Sequence, residues 1–349
     1  SADAGGLTGR NLIINGAMQV AQRGTSGTQA SNYPSLDRWR FQESGVSYTV
    51  AQNDVSGTPT DYGFTKSMLV TNTAVGSNAA SDYLFFQQLI EGQNIRNSGF
   101  DYQDSNSYLT YSFWAKSSLA GTYYAGIQLA EGNFAYPFTL AANTWTKVEF
   151  SVPGYSSLTS TSVPNTNATG WEFRIVPHWG TDFTASGTTT GEWIAFDGAA
   201  RTDDYGQNWV ATSGATFEIT GCQIEVGQKA TPFEHESFAT TFEKCKRYFQ
   251  KSYEYGTAIG TNTSLGCLRT RSSGTGWIHQ SYLTTSLRGH PTVTSYSTDG
   301  TSGKIRDFSG GTNVNAGIDA DSESSVAISG SVGGDAHSAG AQWTAEAEL

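Results

Sequence analysis

Residues 217–253, FEITGCQIEVGQKATPFEHESFATTFEKCKRYFQKSY, pass from strand to turn to helix to strand, which fits β domains joined through one short helix. Phe217 and Ile219 alternate with polar neighbours, as a half-buried strand requires. Past Gly221 the apolar positions move to the opposite parity, Cys222, Ile224 and Val226. A period-two pattern changes phase only where one extra residue is inserted, so the sequence predicts a β-bulge at Gly221 and Cys222. Gly227 and Pro232 then end the strand. From Ser237 as N-cap, Phe238, Phe242, Cys245 and Phe249 fall on one helical stripe. That stripe needs an apolar partner, in the sandwich before it or the one after it.

A chain of 349 residues exceeds what one hydrophobic core comfortably fills, so two domains are expected. Only 15% of residues are charged, while Gly, Ser, Thr and Asn abound; this suits short strands and turns better than helix. Strand-like runs fall at 36–42, 46–51, 65–72, 83–90, 108–116, 123–129, 146–152, 171–176 and 216–226. In 108–115 the odd positions form one apolar face, and Trp114, on the other, points to a second layer. After the helix, weaker runs come at 257–261, 265–271, 276–283, 292–297, 304–308, 325–329 and 342–347, with turn signals at Asp299-Gly300 and Gly310-Gly311. The fold class expected is all-β: an antiparallel jelly-roll sandwich, a short helix, then a smaller C-terminal β-sandwich domain. The corresponding segments are an arm at 1–10, the jelly roll at 11–236, the connecting helix at 237–252 and the C-terminal domain at 253–349. That last domain has few large aliphatics, so neighbouring copies are expected to supply the missing apolar surface.

QIEVGQKATPFEHESF followed by EKCKRYFQKSY resembles a segment that recurs after the jelly-roll domain of tailed-phage fibre and appendage proteins. NLIINGAMQVAQRGTS from Asn11, LDRWRF from Leu36 and the closing QWTAEAEL are similar to their ends. SFWAKSS at Ser112 and TWTKVEFSVPG at Thr144 match by pattern, and RGHPTVTSYSTDGTSGKI from Arg288 is similar to their terminal domain. The resemblance implies a virion structural protein, a tail fibre, head fibre or decoration protein, assembled in the host cytoplasm. It further implies a homo-oligomer, commonly a trimer, with other virion proteins as partners. Host-surface polysaccharide is the implied ligand, since the jelly roll is carbohydrate-binding-module-like.

Lys and Arg total 20 against 31 acids, a net charge of −11, so binding releases no counterions from nucleic acid and none is expected as a partner. No apolar run reaches the ~18 residues of a membrane span, and the opening SADAGGLTGR shows no secretory h-region. Three scattered cysteines fit a reducing compartment. No HExxH, nucleophile elbow or phosphate loop is present, so no enzyme activity and no cofactor or metal is expected. The Glu234-His235-Glu236 run has poor geometry for one metal. Glu225 alone, with neutral Asn11 and Asn15, departs from the calcium site of carbohydrate-binding jelly rolls. A depolymerase acting on capsule or lipopolysaccharide is the alternative, using acids drawn from Glu192, Asp197, Asp203 and Asp204. A stand-alone carbohydrate-binding module is the third reading.

The sequence places its candidate glycan site at Trp179, Asp203, Asp204, Tyr205 and Trp209. These rings fall outside clear strand alternation, beside carboxylates and Arg201. A flat ring stacks on the C–H face of a sugar, while the hydroxyls take charged and polar partners. The competing role for Trp179 and Trp209 is to cap the ends of the sandwich core.

Overall fold

The structure, a computed structural model, describes residues 9–29, 32–319 and 321–349. Of the arm expected at 1–10, only Gly9 and Arg10 lie within the described residues. The chain divides into two compact units: one comprises the segment up to Ala21, Thr25–Phe238 and Leu349, and the other comprises Gln22–Gly24 and Ala239–Glu348. The helix expected as a connector therefore belongs, from Ala239, to the second unit.

Among the described residues twelve strands build the first unit: β1 (Ser26–Thr28), β2 (Arg40–Ser44), β3 (Tyr48–Asp54), β4 (Lys66–Asn72), β5 (Tyr83–Glu91), β6 (Tyr108–Ser117), β7 (Gly121–Gln128), β8 (Gly132–Leu140), β9 (Thr146–Pro153), β10 (Thr169–Trp179), β11 (Trp193–Ala195) and β12 (Thr216–Val226). They form two antiparallel six-stranded sheets, ordered β1-β3-β4-β12-β6-β9 and β11-β8-β7-β10-β5-β2, the jelly roll that the sequence predicts. A short helix, α1 (Gly92–Arg96), comes directly after β5. Strand β8 was absent from the sequence expectation because Pro137 interrupts its run. Its partner β11 pairs only 132–134, so the missing N–H of Pro137 lies where that edge is open.

The predicted bulge is present. Thr220 pairs with Trp114 and Gln223 with Ser112, so two residues of β12 oppose one of β6. Phe217, Ile219, Cys222 and Ile224 consequently all reach the core. Gly221 has φ +65°, and a Cβ there would stand 2.6 Å from the Phe64 ring, so both conformation and space require glycine. The outer face of β12 is polar but covered: buried Glu218 accepts from Ser67 at 2.5 Å and Asn53 at 3.1 Å and pairs with Lys116. Trp114, on the same side of the sheet, meets Tyr62 with ring centroids 5.1 Å apart.

Buried polar links cross an aromatic core between the two sheets; the Ser117 hydroxyl of β6 bonds the Tyr123 hydroxyl of β7 at 2.8 Å, and a second link is centred on Tyr111. Trp171 Nε1 of β10 donates to the Tyr111 hydroxyl of β6 at 2.7 Å, and that hydroxyl donates to the Glu172 carbonyl at 3.0 Å. Phe150 stacks on Tyr111 at 4.8 Å, and Phe113 meets Phe173 edge-on at 5.4 Å. The segment 11–16 also bridges both sheets. Leu12 N donates to Ile224 O, Cys222 N donates to Gly16 O, and Gln88 of β5 exchanges two hydrogen bonds with Ile14. Asn15 adopts φ 61° and fastens the following turn, its amide donating to Val20 O and Asp37 O.

Among its described residues the second unit holds α2 (Phe238–Lys246) from Ala239 on and eight strands: β13 (Phe249–Lys251), β14 (Leu268–Arg271), β15 (Gly276–Tyr282), β16 (Thr292–Tyr296), β17 (Lys304–Asp307), β18 (Thr312–Ile318), β19 (Ser325–Ser331) and β20 (Ser338–Glu346). Helix α2 stops at Lys246, short of the expected 252, because Phe249–Lys251 pair with β20 instead. Cys245 and Phe249 of the expected stripe are buried, whereas Phe238 is exposed. The run at 257–261 forms successive turns rather than a strand; Thr257 N bonds Glu254 O, and Thr261 N bonds Ala258 O. Strand β20 is the hub, pairing with β13, β14, β16 and β17. Among the described residues no helix is long and apolar enough to cross a membrane.

Buried Asp307 organises one end of this unit, accepting from Gly310 N at 2.8 Å, Gly333 N at 3.0 Å and His337 Nδ1 at 2.8 Å. Desolvation pushes its carboxyl up, but the two amides and His337 outweigh burial and hold it at about 2. Its stabilising contribution is full above the unfolded carboxyl's ordinary value and is lost as pH falls through about 2. Asp307→Asn should therefore destabilise the protein at neutral pH, and its denaturation midpoint should converge on that of the wild type in strong acid.

Tyr111→Phe should cost about 1–3 kcal/mol, because it strands the buried Trp171 N–H. Tyr282→Phe, at a residue 78% exposed, should stay within about 0.5 kcal/mol. Urea midpoints measure both; equal midpoints would show that the cross-sheet link is not used.

Candidate functional site

The site begins with an irregularity in β10. Ile175 pairs with Phe86 and His178 with Leu84, so two residues, Val176 and Pro177, oppose Phe85 alone. The extra residue reverses the parity of the rest of the strand. Trp179 is thereby brought to the outer face of the second sheet, where it packs with Tyr83 at 5.4 Å and Phe85 at 5.1 Å. Neighbouring His178 takes the alternate direction.

The chain after β10 folds back over this outer face. Phe183 lies 5.1 Å from Trp179, and the Arg201 guanidinium sits 4.8 Å over the Trp179 ring and 4.9 Å over Phe183. Arg201 N donates to Phe183 O, and Asn133 of β8 holds the Arg201 carbonyl at 2.7 Å. Desolvation, with repulsion from Arg174 after it, lowers the pKa of this guanidinium. Beneath it Arg174 is held in the sheet by Gln87, Gln128 and Glu172. Trp179 is thus a wedge between sheet and covering loop, 3% exposed, rather than an open platform.

A cleft of about 400 Å³ opens beside the wedge, lined by the turn at 78–80, the end of β10 and residues 204–208. Asp204, Tyr205, Trp179 and His178 all line it. Asp204 accepts from the Thr184 hydroxyl at 2.6 Å. Tyr205 donates to Val176 O at 3.0 Å, and its ring meets Tyr124 at 5.2 Å and His178 at 5.9 Å. Asn208 bonds Asn78 across the rim at 2.5 Å. Gln207 donates to Thr122 O, while its own buried carbonyl oxygen has no partner among the described residues.

Two expected site residues stand elsewhere. Trp209 is fully buried in the aromatic core and cannot reach a ligand; its carbonyl is held by Asn72 at 3.1 Å. Its role is the core-capping one, because Asn72 anchors the backbone turn that carries Trp209 and Val210 inward. Asp203 does not line the cleft; its carboxylate accepts from Gly187 N and Asp204 N and so shapes the loop. Asp197 is likewise spent on Ala199 N. Glu225, considered for calcium, is buried and accepts from the Thr231 amide and hydroxyl.

Sequence reasoning assigned His178 no role. It is 5% exposed, and neither ring nitrogen has a partner among the described residues. Desolvation lowers its pKa to about 4 against an opposing pull from Asp82, so the ring is neutral at physiological pH. Asn78, Thr184, Gln207 and Asn208 were also missed, since nothing local in a Gly- and Asn-rich turn signals that it faces a cleft.

No family model matches the chain, and no curated protein matches it. Among solved structures, the enzymatically active domain of bacteriophage CBA120 tailspike protein 4 aligns at 15% identity and a TM-score of 0.34, over 62% of this chain and 21% of that one. A structure described as "CBM4 structure and function" aligns at 11% identity and a TM-score of 0.31, over 62% of this chain and 99% of that one. The family 11 carbohydrate-binding module of Clostridium thermocellum, in complex with a β-1,3-1,4-mixed-linked tetrasaccharide, aligns at 13% identity and a TM-score of 0.28, over 62% and 99%. This chain thus spans about a fifth of the tailspike domain with which it aligns.

The buried imidazole makes stability depend on pH. Between about pH 6.5 and about pH 4 the unfolded chain takes up a proton that the folded chain refuses. Stability should therefore fall over that window by up to about 3 kcal/mol. His178→Phe should flatten that part of the curve, as read from urea midpoints; an unchanged slope would show that the ring is not held neutral.

Proposed function

We propose that this chain is a non-catalytic appendage protein of a tailed-phage virion, a tail fibre, head fibre or decoration protein, whose jelly-roll unit binds host-surface glycan. The observation that carries the glycan reading is the neutral, unpartnered His178 in the wall of a cleft whose other polar side chains are amides, hydroxyls and one carboxylate, beside the rings of Trp179 and Tyr205. A sugar hydroxyl is both donor and acceptor, so it matches the amides of Asn78 and Asn208, the Asp204 carboxylate and an imidazole in either tautomer. The Trp179 wedge holds the wall; the exposed part of Tyr205 is the ring available to the ligand.

The virion role is supported by the sequence segments at Asn11, Gln223 and Gln342. Self-assembly, as a trimer, is supported by Leu265, Ile278 and Ile318, which stand exposed in the C-terminal unit as apolar surface for neighbouring copies. A non-catalytic role is supported by the acids themselves: Asp197 and Asp203 are committed to backbone amides, which hold loops rather than attack substrates.

On a glycan array the wild type should bind, and Asp204→Ala and Asn208→Ala should each weaken the signal about tenfold, the loss of a hydrogen bond to a charged or rigid group. Neither should shift the melting temperature appreciably, because both residues lie at the rim. No reducing ends should be released from capsule or lipopolysaccharide. Release that disappears in Asp204→Ala would establish the depolymerase instead. Light scattering of the intact chain should give a trimer, and antibody-labelled particles should carry the protein on an appendage.

A further inference from the structure

We propose that the C-terminal unit carries a second ligand site, selective for a carboxylate-bearing sugar, in the cleft walled by helix α2, strand β13, the end of β15 and strand β20. The cleft encloses about 290 Å³. Its composition runs against that of the chain: 31 acids give a net charge of −11, yet none of the residues lining this cleft is Asp or Glu, and two are lysines. Lys246 is braced by Glu243 at 2.5 Å and Thr284 at 2.9 Å, and Lys251 by the carbonyls of Tyr255 and Thr257 at 3.0 and 2.7 Å. Glu243 balances the charge of Lys246, so the charge that meets an anion is that of the Lys251 ammonium, which carbonyl acceptors fix in place without neutralising it.

Trp343 supplies the observation that points to a ligand. It lines the cleft from β20, is 6% exposed, and its indole N–H is buried without a partner among the described residues. Indole N–H is a donor only, as is an ammonium. A wall of fixed donors with net positive charge selects an acceptor-rich anion. The rest of the lining selects its shape. Tyr282 is 78% exposed on the cleft, and Tyr255 stands edge-on to Phe242 with centroids 5.5 Å apart. Flat apolar rings bind the C–H face of a pyranose, which a bare phosphate lacks. A hexuronate combines that face with a carboxylate for Lys251. The site uses residues of the second unit alone and does not rest on the reading of the jelly-roll cleft.

The intact protein should be examined by saturation-transfer NMR with sodium D-glucuronate and, as a probe of identical ring and no charge, its methyl ester. Glucuronate should bind at least fivefold more tightly than the ester. Tyr282→Ala should weaken binding about tenfold, and its exposure keeps that change clear of the core. Trp343→Phe keeps a ring in the core, removes the donor, and should weaken glucuronate about tenfold. Equal binding of acid and ester, retention of binding in Tyr282→Ala, or inorganic phosphate competing as well as glucuronate would each overturn the proposal.

Discussion

The jelly roll depends on the hydroxyl of Tyr111, which accepts from Trp171 and donates to the Glu172 carbonyl across the gap between the sheets. Hydrophobic burial is non-directional and would hold two sheets together at many offsets. A buried hydroxyl with one donor and one acceptor to satisfy is not tolerant in that way, because leaving either unmade costs about 1–3 kcal/mol. The surrounding rings, Phe150 stacked on Tyr111 and Phe173 beside it, then settle into geometries compatible with that one offset. Burial raises the phenol's pKa well above its ordinary value, so it stays protonated and able to donate.

With the offset set, two local insertions decide which side chains the sandwich presents. The bulge at Gly221 and Cys222 keeps both halves of β12 facing the core and leaves Cys222 N free to bond Gly16 O. A Cβ on Gly16 would stand 2.0 Å from the Cys222 carbonyl, so the N-terminal segment can bridge the sheets only because that residue is glycine. The second insertion, at Val176 and Pro177, turns Trp179 outward and leaves His178 beside the cleft. The same device, one extra residue in a period-two ladder, serves assembly in one strand and the candidate site in the other.

The two units reach stability by different means. The first buries large rings in quantity, whereas the second buries small residues, with Ala339, Ala341 and Ala345 of β20 in one cluster with Trp277 and Trp343. Close packing around alanines lets several strands crowd one hub, and the buried Asp307 supplies fixed hydrogen bonds where apolar area is short. The cost of so tight a hub is a Trp343 N–H that finds no partner among the described residues.

Strand existence, the all-β class and the bulge in β12 were legible in the sequence, because each is a local consequence of period-two patterning and of where it slips. Strand β8 was hidden by Pro137, whose tolerance depends on how short its neighbour β11 is, a fact of tertiary arrangement. The helix beginning at Phe238 was legible, but its end was not, because Phe249–Lys251 gain more from pairing with β20 than from another helical turn. For the candidate site, the sequence pointed to Trp179 and residues 203–209 and could not sort their roles. Trp209 and Tyr205 sit in one loop, yet Asn72 draws the first into the core while the second, bonded to Val176, remains at the cleft. Which ring is buried is decided by a partner 137 residues away in the case of Asn72 and Trp209, and no pattern along the chain shows which imidazole is left unpaired. Pattern along the chain fixes the faces of strands; only the folded arrangement decides what covers each face.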